Sequence, residues 1–235
     1  MRTCDGSSPR SMVVDGRNGG TAYWTDTAGF EFSQNLDALG KQIHGTGFLS
    51  FGNKSRSEGL ALDPVNGHIY GVSHGRIVRT NLDGTGKVEV SQDFEGPRYP
   101  ENGFALDLVN GKMYFRANNA NNTDYLIRRA NLDGTDYEAD FIPGLFNSAP
   151  SGMAVDAVGG KLYWAFGGTD PNPNPGILRS NLDGTDIEYV VDAGTIAGTM
   201  SEPLRLMVYG QNKPYGLVLD VDNGKMYWSD TIANK

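Results

Sequence analysis

The chain has one cysteine, Cys4, and only three histidines, His44, His68 and His74. A lone thiol excludes an internal disulfide. The first residues show no basic segment leading into an apolar one, so the expectation is a reduced, cytoplasmic protein without a secretion leader. No apolar run approaches the roughly 18 residues that a membrane helix needs. Lys/Arg runs are missing as well. With 28 acidic against 20 basic residues the net charge is −8, and a nucleic acid or other polyanion is excluded as partner, because phosphate binding needs a basic stripe. The histidines fall at unrelated places, and no spacing pairs a nucleophile with a base. Two sequons, at Asn53 and Asn121, would matter only in a secreted chain.

What the chain has instead is glycine, 32 in 235 residues, and repetition. Five segments align: SMVVDGRNGGTAYWTD, GLALDPVNGHIYGVSH, GFALDLVNGKMYFRAN, GMAVDAVGGKLYWAFG and GLVLDVDNGKMYWSDT. Their aspartates are Asp15, Asp63, Asp107, Asp156 and Asp220, and their tyrosines Tyr23, Tyr70, Tyr114, Tyr163 and Tyr227. After each of the first four comes SQNLDA, RTNLDG, RANLDG or RSNLDG. Alternating apolar residues before the aspartate predict a strand buried on both faces. Asn66-Gly67, Asn110-Gly111 and Asn223-Gly224 predict hairpins of the two-residue type I′ kind. An aromatic-rich second strand, a third ending in the Asn-x-Asp-Gly turn, and a fourth such as KVEV complete the unit. Four antiparallel strands in roughly 45 residues make a β-propeller blade.

The combination of AYWTD, KMYWSD, KLYWAF, GLALD and R-x-NLDG resembles the YWTD repeat, or low-density-lipoprotein-receptor class B repeat, along nearly the whole chain. The resemblance implies a β-propeller; members of that family are six-bladed propellers on extracellular receptors, flanked by cysteine-rich modules. Here there are five units and no such module.

The expected fold is therefore all-β, one propeller domain over residues 1–235 with units starting near 11, 59, 103, 152 and 216. Five blades are expected, six being the alternative if the insertion at 195–213 builds strands of its own. The fifth unit holds two strands, and MRTCDGSS at the start resembles VRTNLDGT. Residues 1–8 are thus expected to complete the last blade and close the ring with N- and C-terminal strands in one sheet, since an unclosed ring leaves bare strand edges.

Repeated residues in a propeller build the blade, and function sits where the units differ. The repeated aspartates are accordingly read as acceptors for backbone N–H groups in the adjoining turns rather than metal ligands. In the usual topology the start of strand one and the exit of strand two share a face around the axis. The candidates for ligand binding there are Trp24, Asp26, Arg56, Glu58, His74, Arg98, Tyr99, Glu101, Arg116, Asn118, Trp164, Phe166, Tyr215, Trp228 and Asp230. Aromatics, arginines and carboxylates suit recognition of a protein, a glycan or a small molecule. No catalytic residue, metal or cofactor is expected. The alternatives are a hydrolase or lyase with an axial calcium held by Glu58, Glu101 and Asn102, an intracellular lectin, and a carrier of a small aromatic ligand or pigment.

Overall fold

The computed structural model describes residues 9–17, 20–26, 31–35, 57–73, 76–91, 103–118, 124–144, 150–167, 175–192 and 213–231. Every regular element among them is a strand. β1 (Pro9–Asp15), β2 (Thr21–Asp26) and β3 (Glu31–Asn35) form the first sheet. The second runs β4 (Ser57–Asp63), β5 (His68–Ser73), β6 (Arg76–Asn81) and β7 (Val88–Glu89). The third holds β8 (Phe104–Asp107), β9 (Lys112–Asn118), β10 (Tyr125–Asn131) and β11 (Glu138–Ile142). The fourth is β12 (Pro150–Asp156), β13 (Lys161–Phe166), β14 (Gly176–Asn181) and β15 (Glu188–Asp192), and the fifth pairs β16 (Lys213–Asp220) with β17 (Lys225–Thr231). All pairings are antiparallel and follow chain order, as a four-stranded meander requires.

The sheets stack face to face, because strands that alternate apolar side chains on both faces must bury both. Tyr70, Val72, Ile77 and Val90 of the second sheet pack on Phe104, Met113, Phe115 and Ala130 of the third. Ala105, Tyr114, Ile127 and Ile142 of the third meet Met153, Leu162 and Trp164 of the fourth. Tyr23 joins the first sheet to Leu60, Ile69 and Val78 of the second. Leu217, Met226 and Trp228 of the fifth sheet pack on Ala154 and Tyr163 of the fourth. The fourth and fifth sheets therefore touch directly, with no blade between them, although the insertion at 195–213 joins them in sequence. Residues 1–8, expected to close the ring, lie outside the described residues.

The hairpins depart from the expected type. The register pairs Asp63 with His68, Asp107 with Lys112, Asp156 with Lys161 and Asp220 with Lys225, so the connection has four residues, not two. Only the final glycine takes positive φ, for example 70° at Gly67 and 66° at Gly111. The reason is the aspartate before it. Asp63 accepts the Asn66 backbone N–H at 3.0 Å and its side-chain amide at 2.7 Å; Asp107 and Asn110 repeat this at 2.9 and 2.7 Å. The carboxylate replaces the ladder bonds that a tighter hairpin would have made, and the asparagine stays in ordinary backbone space.

Candidate functional site

The repeated polar residues are consumed by the fold. In each NLDG turn the aspartate accepts from the threonine two residues on: Asp133 from the Thr135 backbone N–H at 3.0 Å and its hydroxyl at 2.6 Å, and Asp83 and Asp183 likewise. The threonine hydroxyl, followed by the backbone N–H, holds all three carboxyls below the ordinary aspartate range. The tyrosine and arginine of one blade reach into the next blade's turn. Tyr70 donates to the Leu132 carbonyl at 3.3 Å, and Arg129 Nη1 to the Leu182 carbonyl at 2.6 Å. Arg129 also forks onto Glu138 with both contacts at 2.8 Å and lies 4.2 Å over the Phe141 ring. Each interblade latch thus commits a phenol or guanidinium of one blade to a carbonyl of the next. Among the described residues no group of three His, Cys, Asp or Glu side chains converges for a metal.

The unrepeated residues gather at the other end of the blades, where strand two leaves. The third blade differs most. Arg116 stands where the other units carry Val72, Ala165, Thr25 and Ser229, and Arg128 where they carry Val78 and Leu178. Both side chains are buried. Arg116 reaches the Pro150 carbonyl of the next blade at 3.4 Å, with its guanidinium 5.5 Å from the Tyr125 ring centre. Arg128 donates to the Tyr137 hydroxyl and, at 3.1 Å, to the Asn118 carbonyl, and lies over the Tyr137 ring. The two cations therefore pin a strand end on each side: Asn118, where β9 stops, and Pro150, where β12 begins. Arg128 is not among the candidates above; its signal in the sequence is a charged residue at a position that is apolar in the neighbouring repeats.

The structure divides the other candidates. Trp164 is buried between blades, its indole N–H without a hydrogen-bond partner, and Phe166 is buried as well. Trp24, Trp228 and Asn118 are half-buried. Glu58, Asp26, Tyr215 and Asp230 lie within strands β4, β2, β16 and β17, and their side chains are outside the described residues. Arg56, His74, Arg98, Tyr99 and Glu101 lie wholly outside them, as does Asn102 of the alternative calcium site. Arg116, Asn118, Trp164 and Phe166 are brought together at the third and fourth blades, but more as a supporting layer than as open contact surface.

No family model matches the chain. It is similar to the protein cueball of Drosophila erecta, 27% identical over 188 residues, covering 76% of this chain and 24% of that protein. It is also similar to low-density lipoprotein receptor-related protein 1 of Pyricularia oryzae, 25% identical over 167 residues, 69% of this chain and 49% of the relative. The chain thus spans about a quarter to a half of these relatives, so their whole-protein activities do not transfer. Among solved structures, a chain of the nidogen/laminin complex superposes with a TM-score of 0.59 at 22% identity, covering 93% of this chain and 69% of that one. The extracellular domain of a hybrid two-component system of B. thetaiotaomicron gives 0.56 at 12% identity, with 97% and 26% covered. An ancestral GH74 enzyme gives 0.55 at 12%, with 96% and 38% covered. These likenesses show the β-propeller fold, which carries enzymes and non-enzymes alike.

The cytoplasmic expectation is corrected. A receptor-related protein among the sequence relatives points away from the cytoplasm. The expectation rested on the lone cysteine and on the lack of a leader-like segment in the first residues, and the cysteine part of it fails physically. Disulfides stabilise small extracellular domains that lack a core, whereas here the second, third and fourth sheets are each packed on both faces, with carbonyl latches between them.

Proposed function

We propose that this chain, a relative of the YWTD-repeat β-propellers, is a non-enzymatic module that binds another protein outside the cell. Recognition is assigned to the face where strand two leaves each blade. The observation that carries this reading is the concentration of unrepeated polar residues there, Arg116 and Arg128 above all, while the repeated polar residues are spent at the opposite end on turns and latches. Buried cations that fix Asn118 and Pro150 set the strand ends from which that face is built, and a rigid platform lowers the ordering cost of binding.

The test is binding of the purified chain to an array of recombinant ectodomains and matrix proteins. Saturable capture of a polypeptide, weakened about tenfold by Asn118→Ala at unchanged Tm, is the expected result. Stoichiometric calcium, lost in Glu58→Ala together with turnover of an ester or lactone, would replace this reading with the hydrolase.

We also propose that the blades number five and close into a ring, with residues 1–8 adding the next strand beside β17. Two features support this. The fifth sheet has two described strands where complete blades have four. The outer faces of the first and fifth sheets are the two complementary halves of an interblade junction: Met12 and Val14 on one, Val218 and Tyr227 on the other, all exposed among the described strands. Deletion of residues 1–8 is expected to lower Tm far more than loss of a frayed terminus.

A further inference from the structure

The four-residue hairpins between strands one and two carry valine where turn chemistry favours Asn, Asp, Gly or Pro. Val65, Val109 and Val158 occupy the same place in the second, third and fourth units, two residues after the aspartate, and are 81%, 73% and 90% exposed. Leu108 and Val221, each one residue nearer its aspartate, are exposed beside them. These are blades with a packed neighbour on either side. No further blade would cover the tips, because they project beyond the ends of the strands rather than from their faces. The blade itself gains nothing from a β-branched apolar residue there: the turn is held by the aspartate, the asparagine or glycine, and the final positive-φ glycine.

The tips lie together at one end of the molecule. Inner strands β1, β4, β8, β12 and β16 adjoin in that order, and Arg17, at the valine position of the first unit, bonds its guanidinium to the Pro64 carbonyl of the second hairpin. The NLDG turns share this end. Leu82, Leu132 and Leu182 each donate a backbone N–H at 3.0 Å to Gly67, Gly111 and Gly160 of the adjacent hairpin. An arc of aliphatic tips is therefore bordered by the exposed carboxylates Asp83, Asp133, Asp136, Asp183 and Asp186, with Asp222 at the fifth tip. Of the cations at this end, Arg17 is paired with Asp15, Arg129 with Glu138 and Arg179 with Glu188; the rim carboxylates, together with Asp63, Asp107, Asp156 and Asp220 of the hairpins, outnumber Arg79, Lys87, Lys112, Lys161 and Lys225.

We propose that this arc is a second docking surface, distinct from the strand-two exits, and that its occupant is a polypeptide with aliphatic side chains set among lysines and arginines. The charge of the border selects this occupant. A second copy of the chain would bring one acidic rim against another, and an anionic bilayer would be repelled by the same carboxylates. A basic surround on an apolar patch is attracted on approach and leaves the valines to bury against its centre.

The test uses a helical peptide of leucine and lysine, amphipathic by spacing, and a matched leucine–glutamate peptide as control. Fluorescence anisotropy should show the wild-type chain binding the lysine peptide and not the glutamate one, more weakly as salt rises. The V65N/V109N/V158N chain should bind at least about tenfold more weakly, with Tm unchanged because asparagine suits the turn. Equal binding by the two chains, or binding of neither peptide by wild type, overturns the proposal. It is overturned too if sedimentation shows wild-type dimers that the asparagines abolish, or if phosphatidylserine vesicles take up the wild type and not the variant.

Discussion

The junction between the third and fourth blades and the two outer faces of the arc are built from the same residues at the same register, yet one is dry and the other bare. Tyr114 is almost fully buried; Tyr227, its counterpart in the fifth blade, is 55% exposed. Leu60, Phe104 and Met153 are buried against a preceding blade, while Met12 at the same position of the first is 66% exposed. The pattern inside one blade is thus written for a neighbour, and what a side chain contributes is set by whether that neighbour arrives. The exposed apolar residues on the outer faces occupy the positions that the other blades bury against a neighbour. The hairpin valines are a different case, since they stay exposed where both neighbours are present.

The largest effects should come from the completed junction. Trp164→Ala, which empties a fully buried site, is expected to cost about 3–5 kcal/mol by urea unfolding. Trp164→Phe should cost much less, because it also removes a buried N–H that has no partner. Next come the latches. Arg129→Met removes a half-buried guanidinium that holds Glu138 and the Leu182 carbonyl, at about 1–3 kcal/mol. Arg179→Met, which breaks a salt bridge to the exposed Glu188, should cost less than about 1 kcal/mol. If the two arginines proved equal, the interblade carbonyl would not be what distinguishes them.

Acid should act on the turns. The carboxyls of Asp83, Asp133 and Asp183 are lower in the folded chain than in the unfolded one. Their contribution is therefore present above the unfolded value, about 3.9, and is lost as pH falls through the lower folded values. The T85V/T135V/T185V chain should lose less stability than wild type over that acid limb of a Tm–pH profile. The smallest effect belongs to the hairpin tips. V65N/V109N/V158N should leave stability within about 0.5 kcal/mol per site, and a larger loss would mean that the valines serve the fold.

Much of this architecture was legible in the sequence. The five aligned segments became five sheets, and the aspartate before each hairpin does accept the backbone N–H of its own turn. The hairpin length was misread because Asn-Gly is also the end of a four-residue loop when a carboxylate caps it. Burial was harder to read. Alternation says which side chains share a face, but in stacked sheets both faces are covered, so Trp164 and Phe166 look the same on paper whether they meet a ligand or the next blade. Arg128 carries no repeat motif of its own, and its departure from Val78 and Leu178 appears only when the repeats are laid over one another.

The central claim is that the two bare faces are halves of one junction and cover each other when the ring closes. The direct measurement is the stability lost on Tyr227→Ala against that lost on Tyr114→Ala, both in the full chain by equilibrium urea unfolding. The account predicts losses of similar size, about 3–5 kcal/mol each. A Tyr227→Ala loss below about 0.5 kcal/mol, beside a full loss for Tyr114→Ala, would contradict it and leave the arc open.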